Sequence, residues 1–181
     1  MTKTELRITG FGGQGVILSA YIIGKAASIF DNKYATMTQS FGPEARGSAC
    51  SAQLIISEDK ILYPYIIKPN IMIAMSQEGY EKYEATMKGE GILIYESNLV
   101  KPGKNRTKIK KYCIPSTKIA EDLGRRIIQN IVMLGFFTAV TGLIDYNAMK
   151  EAVKTSVPRG TEELNLKAFE SGYEYFKKQK K

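Results

Sequence analysis

Gly10-x-Gly12-x-x-Gly15 is the first arrangement in this chain that could do chemistry, with Gly13 and Gln14 filling its second gap. A strand-like stretch precedes it, in which Leu6 and Ile8 alternate with Glu5, Arg7 and Thr9. A helix-like stretch follows, with Val16, Ala20, Ile23 and Ala27 in phase. In that setting the glycines match the dinucleotide fingerprint. Gly10 would permit the tight turn, Gly12 a close approach of backbone to ligand, and Gly15 close packing of helix on strand. Free N–H groups and a partial positive charge at the helix start suit an anion. Three readings stay open: a nicotinamide dinucleotide site, a phosphate or other polyanion site, and a structural turn or partner-packing surface. The first wants a carboxylate at the end of the second strand. Asp31 has roughly the right distance along the chain, but it stands before the strand that begins near Tyr34. That strand ends in Thr38, Gln39 and Ser40.

A second feature is the loop Gly42-Pro43-Glu44-Ala45-Arg46-Gly47. A carboxylate and a guanidinium two residues apart between glycines can clamp an anion or a neighbouring chain, or pair with each other on the surface. The loop follows the second strand, so it is expected at the same carboxyl edge as the glycine loop, where α/β sheets bind ligands. Lys101, Lys104, Arg106, Lys108, Lys110 and Lys111 form the densest charge run. It reads as a solvated face; aromatic residues are not interleaved as base-stacking requires, which argues against nucleic acid.

Other chemistry is excluded by what the chain lacks. It has no histidine, which removes Ser-His and Cys-His pairs and histidine metal ligands. Its two cysteines, Cys50 and Cys113, are too few for a Cys₄ cluster or zinc site and form no CxxC pair. Both are expected to be buried, reduced thiols. With 26 basic and 18 acidic residues the net charge is +8, which favours acidic or phosphate-bearing partners. The first ten residues hold no apolar signal core. The most apolar stretch, 127–144, is interrupted by Gln129, Asn130, Thr138 and Thr141 and reads as a buried helix, not a membrane span. A cytoplasmic location is the expectation.

These features must be held by a scaffold, and 181 residues suit one domain. Strands are predicted over 34–38, 50–57, 71–75, 92–95 and 108–114, with 61–65 pairing back after a turn at Asp59 and Lys60. Helices are predicted over 76–88, 119–123, 127–143, 147–153 and 164–176, with Asp145 and Thr161 as N-caps. Strands alternating with helices, then a helical last third, indicate an α/β domain with a Rossmann-like, mostly parallel sheet flanked by helices. One domain is expected over 1–176, with a basic tail at 177–181.

The motifs together resemble the gamma subunit of 2-oxoacid:acceptor (ferredoxin) oxidoreductases. The resemblance rests on Gly10-Phe-Gly-Gly-Gln-Gly-Val16, on Gly-Pro-Glu-x-Arg-Gly at 42–47, and on Ile56-Ser57. It extends to Asn130, Val132, Leu134 and Gly135, and to Asn165, Phe169 and Gly172. It covers nearly the whole chain; the first two motifs together are specific. Thr38-Gln39-Ser40-Phe41 looks most like the 2-oxoglutarate branch, ahead of the pyruvate, branched-chain and indolepyruvate branches. Ser48 departs from the second glycine many relatives carry there, which puts the loop geometry in question. The resemblance implies a subunit without a catalytic residue or metal of its own, inactive alone. Companion alpha and beta subunits would carry thiamine diphosphate, magnesium and 4Fe–4S clusters, with ferredoxin as acceptor. It also implies a structural role and a share in a coenzyme A site at Gly10, Gly12, Gly13, Gln14, Gly15, Gly42, Pro43, Glu44, Arg46 and Gly47. The alternative of another class is a stand-alone nucleotide- or phosphate-binding protein.

Overall fold

A computed structural model describes residues 3–40, 49–103 and 108–179. Its elements in chain order are β1 (Thr4–Phe11), α1 (Val16–Lys25), β2 (Tyr34–Ser40), β3 (Ala49–Ser57), β4 (Ile71–Ala74) and α2 (Gln77–Tyr83). There follow β5 (Ile92–Glu96), β6 (Lys110–Ile114), α3 (Ser116–Asp122), α4 (Gln129–Thr141), α5 (Tyr146–Lys154) and α6 (Glu162–Gln179). The six strands form one sheet in the order β2-β3-β1-β4-β5-β6. β1, β4, β5 and β6 run parallel, and β3 is antiparallel to both β1 and β2. The expected mostly parallel α/β architecture is therefore present, with β3 inserted between the first strand and the second.

Both faces of the sheet are covered, unequally. One face packs Leu6, Ile8, Leu54, Ile73 and Ile94 against α1, α4, α5 and α6 in the main core. The other holds a small core of Met72, Ala74, Leu93, Tyr80 and Met87 under α2. The polar residues that alternate along β1 do not face water: Glu5, Arg7 and Thr9 are buried too. α4 is buried from Gln129 to Thr138, as a helix apolar all round should be at the centre of a fold. Among the described residues no helix is long and apolar enough to cross a membrane.

Several expectations are corrected. Residues 61–65 form no strand; Leu62, Tyr63 and Tyr65 are exposed. That segment is tethered instead by Glu5, whose carboxylate accepts from the Ile67 and Lys68 N–H groups, both at 3.1 Å. The helix after Ser76 is α-helical only to Tyr83 and ends in a 3₁₀ turn, Glu84–Thr86. Asp145 caps α5, accepting from the Asn147 and Ala148 N–H groups at 2.8 and 3.1 Å. Thr161 also stands at the expected N-cap position, directly before α6, its carbonyl accepting from the Asn165 N–H at 3.0 Å, while its hydroxyl donates to the Pro158 carbonyl and accepts from Asn165 Nδ2. α6 continues through Gln179, so the basic tail expected from 177 begins inside the helix, where Lys177 lies 4.5 Å from the Tyr173 ring centre. Cys50 is buried but Cys113 only half so; burial pushes the Cys50 thiol above its ordinary range.

α4 and α6 meet through glycine. A Cβ on Gly135 would run into the Phe169 carbonyl and stand 2.9 Å from Tyr173 N. One on Gly172 would run into the Val132 carbonyl and stand 3.0 Å from Phe136 N. The two backbones touch where no side chain fits, and Phe136, Phe169 and Phe176 close the seam around them.

Candidate functional site

The glycine loop lies where β1 leaves the sheet at its carboxyl edge. Gly10 and Phe11 are still strand, paired with Cys50 and Ala49 of β3. Gly10 is therefore not the turn. It is the close-packing position: a Cβ there would stand 2.6 Å from Gln14 Oε1, 3.0 Å from Val16 Cγ2 and 3.1 Å from Met75 Cβ. The turn runs from Phe11 to Gln14, closed by the Gln14 N–H donating to the Phe11 carbonyl at 3.1 Å. Gly13 sits at φ +95 with open space where a side chain would be, the left-handed geometry glycine adopts without strain.

Gln14 braces this turn. Its Oε1 accepts from the Phe11 N–H at 2.7 Å, and its Nε2 donates to the Met75 carbonyl at 3.0 Å. The carboxamide thus ties the loop to the end of β4, and both of its ends are committed within the chain. Gly15 is the residue before α1, at φ +75. Its neighbour is not the strand but Asn130 of α4: a Cβ on Gly15 would stand 2.6 Å from Asn130 Nδ2. Asn130 is 3% exposed, and its Nδ2 is buried without a hydrogen-bond partner. The motif asparagine of α4 thus packs against the motif glycine of the loop, a contact that sequence spacing did not reveal.

Gly42, Pro43, Glu44, Arg46 and Gly47 lie outside the described residues, as do Lys104 and Arg106. The strand ends that flank 41–48 are placed, however. Ser40 pairs with Ser51, and Ala49 pairs with Phe11 beside the glycine loop. The chain therefore leaves β2 and enters β3 at the same carboxyl edge as Gly12 and Gly13. Asp31 sits at the opposite edge, just before β2, where its carboxylate pairs with Lys33 at 2.7 Å and accepts from the Asp145 N–H at 3.3 Å. It cannot reach a ligand at the glycine loop, so the nicotinamide reading loses its acid.

What the edge offers is main-chain polarity: the exposed glycine turn and the start of α1, whose first turn has N–H groups beyond the reach of intrahelical acceptors. That suits an anionic group. Among the described residues no three or more His, Cys, Asp or Glu side chains are grouped to hold a metal.

The sequence profile of the pyruvate ferredoxin/flavodoxin oxidoreductase family matches residues 5–175. The chain is 45% identical over 177 residues to the 2-oxoglutarate synthase subunit KorC of Methanocaldococcus jannaschii, covering 97% of this chain and 95% of that one. Its identity to the pyruvate synthase subunit PorC of Methanothermobacter thermautotrophicus is 31% over 178 residues, covering 96% of each. Among solved structures it is similar to the gamma subunit of a keto/oxoacid ferredoxin oxidoreductase from Geobacter sulfurreducens PCA. The TM-score is 0.81 at 38% identity, covering 94% of this chain and 96% of that one.

Proposed function

The chain belongs to the pyruvate ferredoxin/flavodoxin oxidoreductase family, and from that premise we propose that it is the gamma subunit of a 2-oxoglutarate:ferredoxin oxidoreductase, working in the cytoplasm. The carrying observation is the gap between 45% identity to a 2-oxoglutarate synthase subunit and 31% to a pyruvate synthase subunit, each over nearly the full chain. In this reading alpha and beta companions hold thiamine diphosphate, magnesium and 4Fe–4S clusters and pass electrons to ferredoxin. A chain with no histidine and two cysteines fits that division of labour.

Coenzyme A supplies the thiol that accepts the acyl group. This chain's part is to hold its phosphates. The exposed Gly12-Gly13 turn brings bare backbone to the carboxyl edge, and the α1 N-terminus adds N–H groups and partial positive charge. Gln14 keeps the turn in place from behind. Arg46, in the segment between the ends of β2 and β3 at this edge, would supply a guanidinium, and Gly42, Pro43, Glu44 and Gly47 belong to the same proposed site.

Co-expression with the genomically neighbouring chains tests the reading. The expected product is a brown complex that reduces ferredoxin or a viologen dye, dependent on 2-oxoglutarate and coenzyme A. A complex that turns over pyruvate instead refutes the substrate assignment. A lone chain fully active with no companion refutes the subunit role. Arg46→Ala in the assembled enzyme is expected to raise KM for coenzyme A, and an unchanged KM removes Arg46 from the site.

A further inference from the structure

Arg7, at the middle of β1, is the only buried basic residue among the described residues. It is 8% exposed, its guanidinium carbon lies 4.1 Å from the centre of the Tyr83 ring, and its Nε has no hydrogen-bond partner. Among the described residues no carboxylate pairs with it. Glu5, two positions away on the same face of β1, is already engaged by Lys3 at 3.0 Å and by the Ile67 and Lys68 N–H groups.

The surroundings continue this unfinished polarity toward one edge of the sheet. Arg7 is opposite Gln53 of β3, which is opposite Thr38 of β2. Gln53, Thr36 and Thr38 are half-buried, and Thr38 Oγ1 is enclosed without a partner. Ser51 donates to the Tyr83 hydroxyl at 3.2 Å, so α2 ends over Arg7. Beyond Tyr83 the face runs out to β2, the sheet's outermost strand.

A cation this enclosed, with no counter-charge among the described residues, is costly. Replacing it by an apolar side chain of similar volume leaves a fold unchanged or more stable. A cation kept in such a position implies an anion that arrives from outside. The half-buried Gln53, Thr36 and Thr38 lead from Arg7 to the edge strand β2, and a sheet edge is a surface that another protein pairs with or covers. The chain's net charge of +8 favours an acidic partner.

We propose that this face of the sheet, centred on Arg7, receives a carboxylate side chain from a companion subunit of the complex. The proposal rests on the reading of the chain as a subunit and adds where one companion docks. Gln53 and Thr38 supply further hydrogen-bonding groups along the same row, and Tyr83 holds the guanidinium plane in place.

The experiment compares wild type, Arg7→Met and Arg7→Lys, each alone and titrated into the gamma-depleted complex. The lone Arg7→Met chain is expected to melt at or above the wild-type temperature. Its affinity for the rest of the complex is expected to fall on the order of 30-fold or more, the effect of removing one partner of a buried interfacial ion pair. Arg7→Lys, which keeps the charge and loses the planar stacking, falls between. If Arg7→Met assembles with wild-type affinity, the proposal is overturned while the subunit reading stands. If the lone Arg7→Met chain melts lower, the cation serves its own fold and the proposal is likewise overturned. If acetate or phosphate at constant ionic strength stabilises the lone wild-type chain but not Arg7→Met, the anion is a small molecule and the companion is not its source. A wild-type chain that never joins the companions defeats the proposal and the subunit reading together.

Discussion

Replacing Gly172 by alanine sets two physical effects against each other. Alanine in a helix interior is favoured over glycine by about 1 kcal/mol, so propensity alone predicts a more stable protein. The packing predicts the reverse. The new methyl would drive into the Val132 carbonyl and stand 3.0 Å from Phe136 N, both backbone atoms of α4. Backbone cannot rotate aside as a side chain can, so the helices must separate. Parting them by about 1 Å over a contact of about 100 Å² opens about 100 Å³, and at about 24 cal/mol per Å³ this costs about 2.4 kcal/mol. Overpacking strain of about 1–3 kcal/mol adds to it. After the propensity gain the net loss is about 2–4 kcal/mol, or a melting temperature lower by about 5–15 °C for a domain of this size. Thermal unfolding followed by circular dichroism reads the difference. Ser171→Ala is the control: Ser171 is half-buried and its hydroxyl donates to the Lys167 carbonyl of its own helix, so its melting temperature should hold or rise. A Gly172→Ala protein as stable as the control would refute the close-contact argument, and the matching contact at Gly135 would fall with it.

Other substitutions test other links. Asp145→Ala removes two hydrogen bonds to the first turn of α5 and should cost about 1 kcal/mol in chemical denaturation; Asp145→Asn should recover most of it. Gln14→Leu leaves the Phe11 N–H and the Met75 carbonyl without their bonds. It should cost about 1–3 kcal/mol and speed proteolytic cleavage at 11–14; unchanged cleavage would deny the brace. Glu96 is fully buried, and burial pushes its carboxyl up, against main-chain N–H groups such as that of Asn98 at 2.9 Å. A raised folded-state value means the native protein binds the proton more tightly, so this group's contribution is present at acid pH and lost as pH rises through the folded value. Glu96→Gln should therefore flatten the decline in melting temperature above the ordinary carboxylate range, and a mutant curve parallel to wild type would refute the assignment.

The local patterns of this chain were legible without coordinates. The alternation of Leu6 and Ile8, the apolar run 71–75 and the helical phase of Val16, Ala20 and Ile23 are short-range consequences of strand and helix geometry. They place β1, β4 and α1 within a residue or two. The glycine loop's position follows equally, since only the end of such a strand brings the motif to a helix start. The Asp145 cap was readable because its acceptor and donors lie within three residues. Residues 61–65 mislead because apolar content alone does not make a strand, and β3, the strand they would pair back with, is already flanked by β1 and β2.

What tertiary structure alone decided are contacts between residues far apart in sequence. That Gly15 yields to Asn130, that Gly135 and Gly172 each meet the backbone of the other's helix, and that Arg7 is enclosed beneath Tyr83 all depend on which element crosses which. Periodicity carries no record of that, because it repeats within an element and is silent about its neighbour. The insertion of antiparallel β3 between β1 and β2 is of the same kind. The sequence announced the strands, but their order goes with how the two faces are covered, by the main core under α1, α3, α4, α5 and α6 and the smaller one under α2.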